Sequence, residues 1–533
     1  MTNRTTGLPG FRPCRLALAM LAVAGGAQAQ QEVHVSNEFA VTASDVSGPG
    51  DRQSSLTEGA RYLNVLGING GGALGGYDYR FNLGAKATDD NRNDVQGLTL
   101  TNLQGKLSNN VHTVTLGDTF ESFSQYALNA AVKGGSWRYA DSANPGGPEL
   151  TVLHGLAVSR WDNLWDTPTL ERRVTGARAK QAFGDEVAVG VSAVQTSDGN
   201  VQPGASRLKG HTATLDAEYR PIPGLTIRAE TSFSGYEEEP AAGVVVKTNG
   251  NALRLEAVGD ADPSRVSLEY ERVAPDYVTL AGSATADREK FKAKWRYKHT
   301  RDVTWNFGAL WFHDNLDGQK ALRTNYTRPE VEVTVRRLGG RQYASGTLSY
   351  KLDRSENSTV TTRDQFLNAN YRDRFGDLDS ETNLGTTFYK TTNARDAREV
   401  TANTSLSSRH TVSSVVLKPV LYLGTWNNRD ELAAPRATDR IVEYSAGLGC
   451  DVPSWKVTSN LKIGENRLDK SAGTDSQKAY ANLNVYWRPD SLREWQGMLF
   501  ARALVNDFRY DPAAVNALNF RENSLSLGLN VQY

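Results

Sequence analysis

The sequence predicts an all-β protein, a single large transmembrane antiparallel up-and-down β-barrel of about 26 strands (range about 22–28), with short periplasmic turns and longer outer loops. Three observations predict this fold. Apolar and polar side chains alternate along many successive segments, tight turns alternate with longer polar loops, and the N-terminal segment has the pattern of a secretion signal.

The composition fits a barrel better than a soluble enzyme. The chain has 533 residues, 60 Lys+Arg and 60 Asp+Glu, so a nucleic-acid binder that relies on bulk positive charge is excluded. It has 48 Gly, 10 Trp and 21 Tyr, yet its mean hydropathy is negative. Only the lipid-facing half of each barrel strand must be apolar, which reconciles membrane insertion with low hydropathy.

Residues 1–29 have the pattern of a signal peptide. Basic Arg4, Arg12 and Arg15 precede an apolar run from Leu16 to Ala24, and Ala27-Gln28-Ala29 forms the cleavage site. We expect cleavage before Gln30, residues 30–533 to form the barrel, and Cys450 to remain as the mature chain's cysteine.

Alternation with a period of two is the main evidence for strands. Tyr77, Tyr79, Phe81, Leu83 and Ala85 alternate with Asp78, Arg80, Asn82, Gly84 and Lys86, and the segments 225–233, 291–298 and 303–311 have the same pattern. Such a segment has one apolar and one polar face. Most segments have roughly ten or more residues, the length that a tilted membrane strand needs.

Connections fall into two classes. The predicted inner turns are Gly184-Asp185, 221–224, 300–302, Gly376-Asp377, 451–453 and 488–490, whereas longer polar loops lie near 46–60, 196–207, 236–244, 352–363, 427–438 and 507–520. The last strand, Leu525 to Tyr533, alternates and ends in an aromatic residue. It resembles the signal by which the barrel-assembly machinery recognises its substrates, so we expect that machinery and the outer-membrane bilayer as partners.

The strand count implies a wide bore. Barrels near 22 strands need a filled lumen, and we expect no segment long enough to form a separate plug. Three explanations stay open: a plug or periplasmic partner protein fills the bore, the barrel is pinched, or the count is too high. A bulge or an inward-folded segment within residues 120–145 or 270–290 would lower the count and narrow the bore.

One stretch resembles a known family. Leu98-Thr99-Leu100, Val114 to Phe120 with its Leu116-Gly117-Asp118 turn, Phe123, Tyr126 and Lys133-Gly134-Gly135 resemble the first hairpins of chaperone–usher outer-membrane ushers. This stretch covers about 40 residues, and we expect no separate plug or periplasmic domain of the usher kind. In strand number alone, the chain is similar to barrels that sheathe multihaem cytochromes. It has no Cys-x-x-Cys-His motif, so any haem would belong to a partner.

The candidate sites lie on the strands. The predicted lumen-lining residues are Lys290, Lys292, Lys294, Arg296, Lys298, Arg228, Glu230, Arg254, Glu256, Glu269 and Glu271. The predicted membrane-interface aromatics are Trp295, Trp305, Trp311, Trp487 and Tyr533. The basic stripe on residues 290–298 is compatible with two interpretations, mutual ion pairing inside a wet bore and a track for a substrate.

Enzymatic chemistry has little support in the sequence. The seven histidines show no metal-ligand spacing, and His313-Asp314 is the best local candidate for a hydrolase at the barrel rim. We therefore expect no enzyme, no cofactor and no nucleic-acid partner. The predicted function is a porin-like outer-membrane conduit, filled or gated by a partner, for export of a macromolecule or for housing a subunit. The alternatives are a cytochrome sheath and a rim hydrolase.

Overall fold

The computed structural model describes residues 32–157, 161, 170–201, 204–433, 436–511 and 517–533. The predicted signal peptide therefore lies outside the described residues. In the part of the chain that is described, all strand segments belong to one antiparallel sheet. No helix among these residues has the length and apolar character needed to cross a bilayer.

The strands follow one another along the chain. The first nine are β1 Glu32–Ser47, β2 Gly59–Leu74, β3 Tyr77–Thr88, β4 Leu98–Ser108, β5 His112–Ser124, β6 Leu128–Ala140, β7 Glu149–Leu156, β8 Leu170–Phe183 and β9 Val187–Val201. The next nine are β10 Arg207–Ile222, β11 Leu225–Glu239, β12 Val246–Ala261, β13 Ser264–Val273, β14 Arg288–Lys298, β15 Val303–Asp314, β16 Asn325–Arg336, β17 Ser345–Glu356 and β18 Thr361–Phe375. The last nine are β19 Leu378–Thr391, β20 Arg395–Ser408, β21 His410–Val412, β22 Val415–Asp430, β23 Ala437–Val452, β24 Val457–Lys470, β25 Asp475–Trp487, β26 Met498–Asp511 and β27 Phe520–Gln532. Short 3-10 helices lie at Asp51–Gln53, Leu338–Gly340, Pro453–Trp455 and Asp490–Trp495.

The sheet closes on itself. Strand β1 pairs with β27 from Ser36 opposite Gln532 to Ser47 opposite Arg521. Strands β20 and β21 both pair with β22 and form one strand interrupted at Arg409, so the described residues make a closed barrel of 26 strands. The predicted fold and strand number are confirmed. Closure pairs the first strand with the last, so the sheet has no free terminal strand, as a wall in lipid requires.

The two ends of the barrel differ in their connections. Residues 223–224, 262–263 and 376–377 form tight turns at the end where β1 begins and β27 ends. At the other end, the connections include residues 48–58, 274–287 and 315–324. The predicted turn at 488–490 is longer than expected, because the 3-10 helix Asp490–Trp495 separates β25 from β26.

Alternation along each strand gives the wall two unlike faces. In β9 and β11, Ser192 is 1% and Ser232 0% exposed, whereas the adjacent Val191 is 53% and Phe233 62% exposed. A strand residue of a one-layer barrel is fully buried only when something packs against it from inside. The small polar residues therefore face the interior, and the apolar residues face outward.

Two segments fold into the interior. The hairpin tip, defined as residues 118–132 of β5, β6 and their connection, separates from the neighbouring strands. Strand β4 pairs with β5 only as far as Gly117, and β7 pairs with β6 only from Lys133 onward. The inner loop, defined as residues 274–287 between β13 and β14, packs against this tip.

Candidate functional site

The hairpin tip leaves the wall at Gly117. This glycine has a φ of +97°, and a Cβ there would collide with the Leu103 carbonyl oxygen. An L side chain rarely adopts this conformation, so only glycine allows β5 to turn inward while still touching β4.

Asp118 secures the departure point. Its carboxylate accepts hydrogen bonds from the backbone N–H of Leu103 at 2.6 Å, from Lys133 Nζ at 2.6 Å and from Trp161 Nε1 at 2.8 Å. These contacts tie both arms of the hairpin to β4. The Leu-Gly-Asp motif is thus the structural origin of the inward hairpin.

Apolar side chains form the underside of the tip. Phe123, Leu128 and Val132 pack against Val174 and Val194 on the inner faces of β8 and β9, and all five are at most 5% exposed. Full burial of each large apolar side chain contributes about 1.5–3 kcal/mol. The tip is therefore packed firmly against the wall.

Tyr126 makes the polar contacts at the very end of the tip. It is 0% exposed, its hydroxyl donates to Glu271 Oε1 at 2.8 Å, and its backbone N–H donates to Glu230 Oε1 at 3.3 Å. Its ring meets the Tyr277 ring edge-on, with centroids 5.9 Å apart. Burial, followed by the charge of Glu271, raises the pKa of Tyr126, so the phenol stays a proton donor.

The inner loop covers the tip from the lumen side. The Ser283 N–H donates to the Gln125 carbonyl at 2.7 Å, the Asn129 N–H donates to the Ala281 carbonyl at 2.9 Å, and Thr279 Oγ1 donates to the Tyr126 carbonyl at 2.9 Å. These bonds fix the two segments to one another.

Tyr277 anchors the inner loop to the wall. Its hydroxyl lies 2.8 Å from Ser232 Oγ on β11, and burial raises the pKa of Tyr277 to about 12. The phenol is therefore neutral at physiological pH and can take part in the hydrogen bond to Ser232.

The predicted lumen-lining residues share the face of the wall against which the hairpin tip packs, and seven of them lie on β11–β14 near the tip. An ion-pair chain crosses the strands through Arg228 with Glu256 at 3.4 Å and Arg254 with Glu269 at 3.2 Å. Lys290 continues it to Glu269 at 2.9 Å and to Glu271. Glu271 of this chain and the neighbouring Glu230 are the carboxylates that bind Tyr126. Lys290, the first residue of the basic stripe, is therefore neutralised by carboxylates of the same wall.

The remaining basic residues lie apart from the tip. Lys292, Lys294 and Arg296 follow Lys290 along the inward face of β14, and no ion pair involves them within the described ranges. Lys298 pairs with Asp262 at 3.1 Å near the tight-turn end. The structure thus divides the stripe into a paired part and an unpaired part.

The predicted interface aromatics all belong to the outward face. Trp295, Trp305 and Trp311 alternate with inward residues of β14 and β15, and the Trp295 ring stacks on Phe307 with centroids 5.1 Å apart. Trp487 is 46% and Tyr533 72% exposed. Their contact with a membrane interface stays a prediction.

His313 does not form a pair with Asp314. Its Nε2 lies 3.5 Å from Glu289 Oε2 on the outward face, while Asp314 accepts from the Thr324 backbone N–H at 2.7 Å. Within the described residues, no group of His, Cys, Asp and Glu is arranged to hold a metal ion.

Sequence reasoning identified Glu230, Glu271 and Lys290, but it placed neither Tyr126 and Tyr277 in an interior cluster nor Asp118 at the base of an inward hairpin. The tip keeps the alternation of an ordinary barrel hairpin. The available signal was the Gly117-Asp118 pair, which marks where a strand can turn away from its neighbour.

No protein-family model and no curated protein matches the chain. Among solved structures, the chain is similar to the P pilus usher PapC translocation pore, with 10% identity, a TM-score of 0.40, and 93% of this chain and 99% of that chain covered. It is also similar to the siderophore receptor PirA from Pseudomonas aeruginosa, with 11% identity, a TM-score of 0.44, and 95% and 81% covered. A third is the anion-selective porin from Comamonas acidovorans, with 12% identity, a TM-score of 0.31, and 54% and 90% covered. The barrel assignment follows from this chain's own strand pairing.

Proposed function

We propose that the protein is an outer-membrane conduit of wide bore, and that it transports rather than catalyses. The observation that carries the proposal is closure of a 26-stranded wall with an apolar outward face and a polar inward face. Such a wall satisfies its backbone hydrogen bonds in lipid and encloses a hydrated interior.

The expected bore is large. With strands about 4.8 Å apart and tilted by about 40°, a ring of 26 strands is about 50 Å across between opposite backbones. The hairpin tip and the inner loop pack against β8–β13, which leaves the opposite side of the ring uncovered by them. A partner protein or a polymer in transit is a suitable occupant of that space.

Conductance in planar bilayers tests the conduit. The purified full-length protein is expected to give channels far larger than those of 16–18-stranded porins. A variant in which residues 275–286 are replaced by a short Gly-Asn turn is expected to conduct more, because the inner loop no longer covers the tip. Shortening the connection at 471–474 serves as the control and is expected to leave conductance unchanged.

A partner would be found by a separate experiment. Native outer membranes are solubilised in mild detergent, the protein is purified, and co-purifying subunits are identified by mass spectrometry. A stoichiometric companion supports a filled bore. Recovery of the barrel alone, together with full conductance of that material, would count against a resident partner.

A further inference from the structure

The inner wall facing the uncovered space differs from the wall beneath the hairpin tip. Counting around a ring of 26 strands, β24 and β25 lie opposite β10 and β11, which the tip and the inner loop cover. A solute that passes the two inward segments therefore meets the inward faces of β22–β25. This sector is called the opposite wall below.

Uncharged amides are prominent on the opposite wall. Asn460 and Asn484 are paired across β24 and β25, and Asn482 is next to Asn484 on the same face. No hydrogen bond joins these three side chains to another described residue. An amide offers two donors and an acceptor, so three adjacent free amides can bind a ligand with many hydroxyls.

A ladder of further amides extends this surface toward β18. Asn370 donates to Asn383 Oδ1 at 2.6 Å, and Asn383 donates to Asn403 Oδ1 at 3.0 Å. The side-chain NH2 of Asn403 ends the ladder and has no acceptor within the described ranges. The row of amides therefore continues to β18, where Asn370 also donates to Glu381 at 3.2 Å and Glu381 is paired with Arg372.

Two tyrosine side chains of the same wall reach over glycines. A Cβ built on Gly464 would lie 2.7 Å from the Tyr480 hydroxyl oxygen, and one built on Gly424 would lie 2.7 Å from that of Tyr422. The Tyr422 ring edge and the Tyr480 hydroxyl thus lie over glycines. Both tyrosines are only half-buried, so part of each ring remains accessible from the interior.

Charge on this sector is balanced. Glu443 accepts from the Tyr480 hydroxyl at 3.2 Å, and Lys462 Nζ lies 5.4 Å from the centroid of the Tyr480 ring. One acidic and one basic side chain thus flank the same tyrosine. The surface has no excess of either sign that would select an ionic solute.

We propose that the opposite wall is a binding track for a neutral carbohydrate chain. Sugar hydroxyls pair with free amides, and the C–H faces of sugar rings stack on aromatic rings. Amides beside half-buried tyrosines, without excess charge, match that chemistry better than they match a peptide or a polyanion. This inference rests on the proposed conduit and names the class of its substrate.

Blockade of single channels tests the track. Maltohexaose, a linear neutral hexasaccharide, is added to full-length protein in a planar bilayer, with polyethylene glycol of equal hydrodynamic size as the size control. Maltohexaose is expected to reduce the current at lower concentration than the glycol. The double variant Tyr422→Leu/Tyr480→Leu is expected to weaken the blockade about tenfold, because two stacking surfaces are lost.

Matched variants separate the track from general effects. Tyr350→Leu/Tyr444→Leu removes two outward-facing tyrosines and should leave the blockade unchanged. In Tyr422→Leu/Tyr480→Leu, the leucines keep apolar side chains next to Gly424 and Gly464. Heat-dependent gel mobility verifies that each variant is folded. Should Tyr422→Leu/Tyr480→Leu fail to fold, Asn482→Ala/Asn484→Ala replaces it, and weaker blockade is again expected.

The outcomes distinguish the two proposals. A conducting channel that maltohexaose blocks no better than the glycol overturns the carbohydrate track and leaves the conduit intact. A conducting channel that only an acidic hexasaccharide, hexagalacturonate, blocks also overturns the neutral track. Absence of any conductance from folded protein overturns the conduit itself.

Discussion

Tyr126 shows how a single residue fixes the interior of the barrel. Its hydroxyl and backbone N–H bind two carboxylates that belong to different strands, Glu271 on β13 and Glu230 on β11. Burial strengthens both bonds because no water competes for the carboxylate oxygens. The charges of these strands therefore position the hairpin tip as well as line the wall.

Replacing Tyr126 by Phe is expected to loosen the tip. The change keeps the ring but removes the hydroxyl that donates to Glu271 and leaves that carboxylate with Gln125 Nε2 and Lys290, a loss of about 1–3 kcal/mol. Hydrogen exchange followed by mass spectrometry should show faster exchange at residues 118–132. Tyr444→Phe removes an exposed hydroxyl bonded to Glu465 at 2.6 Å and is the control. Equal exchange in the two variants would contradict the role of Tyr126.

Asp287 gives the inner loop a pH dependence. Burial opposes ionisation, but Lys320 at 2.5 Å and the Leu316 N–H at 2.6 Å outweigh it and lower the pKa of Asp287. A lowered carboxyl pKa contributes stability above the unfolded value near 3.9, and this contribution is lost as pH falls through the folded value.

Protection of the inner loop is therefore expected to be constant between about pH 5 and 9 and to fall below about pH 4. Exchange protection factors of residues 274–287, corrected for the intrinsic rate at each pH, measure this. Asp287→Asn should remove the acid-dependent step and lower protection at neutral pH. A wild-type loop equally protected at pH 3 and pH 6 would contradict the assignment.

At the scale of the elements, the sequence predicted the strands but not the course of one hairpin. Alternation is a local property with a period of two, so it identifies a strand wherever one face meets lipid or apolar packing. In the hairpin tip, Phe120 is 63% exposed and Val132 is 1% exposed, so the pattern continues although the surroundings have changed. Whether a hairpin stays in the wall depends on contacts distant in sequence, such as Tyr126 with Glu271.

Gly117→Ala is expected to disturb the point at which the hairpin tip separates from β4 and turns inward. The added methyl group would collide with the Leu103 carbonyl at a positive φ, so β5 must shift or stay alongside β4. Conductance steps and exchange of residues 118–132 should both increase. Gly105→Ala, where a Cβ would meet nothing within 4 Å, provides a matched control. Unchanged behaviour of Gly117→Ala would show that glycine is not required there.

At the scale of the whole molecule, one chain forms the barrel wall and also the two segments, the hairpin tip and the inner loop, that occupy part of its interior. The sequence predicted the strand number, and with it the need to fill or narrow the bore. The predicted lumen residues lie on the inward face because their parity is set by the neighbouring apolar positions. An inward-folded segment within 120–145 or 270–290 was among the alternatives that the sequence left open, but its course was not predicted, since neither the hairpin tip nor the inner loop is long enough to form a core alone.

An introduced charge should destabilise the barrel on the outward face of the wall but have little effect on the inward face. Leu367, 43% exposed on the outward face, and Asn368 on the inward face are adjacent at the middle of β18. Leu367→Arg places a cation in hydrocarbon and is expected to lower the free energy of unfolding by about 2–4 kcal/mol. Asn368→Arg places the cation in water and should change the free energy of unfolding by less than about 1 kcal/mol. Guanidinium unfolding in lipid vesicles measures both. Equal losses would mean that the alternation does not separate lipid from solvent, and the conduit would then lose its physical basis.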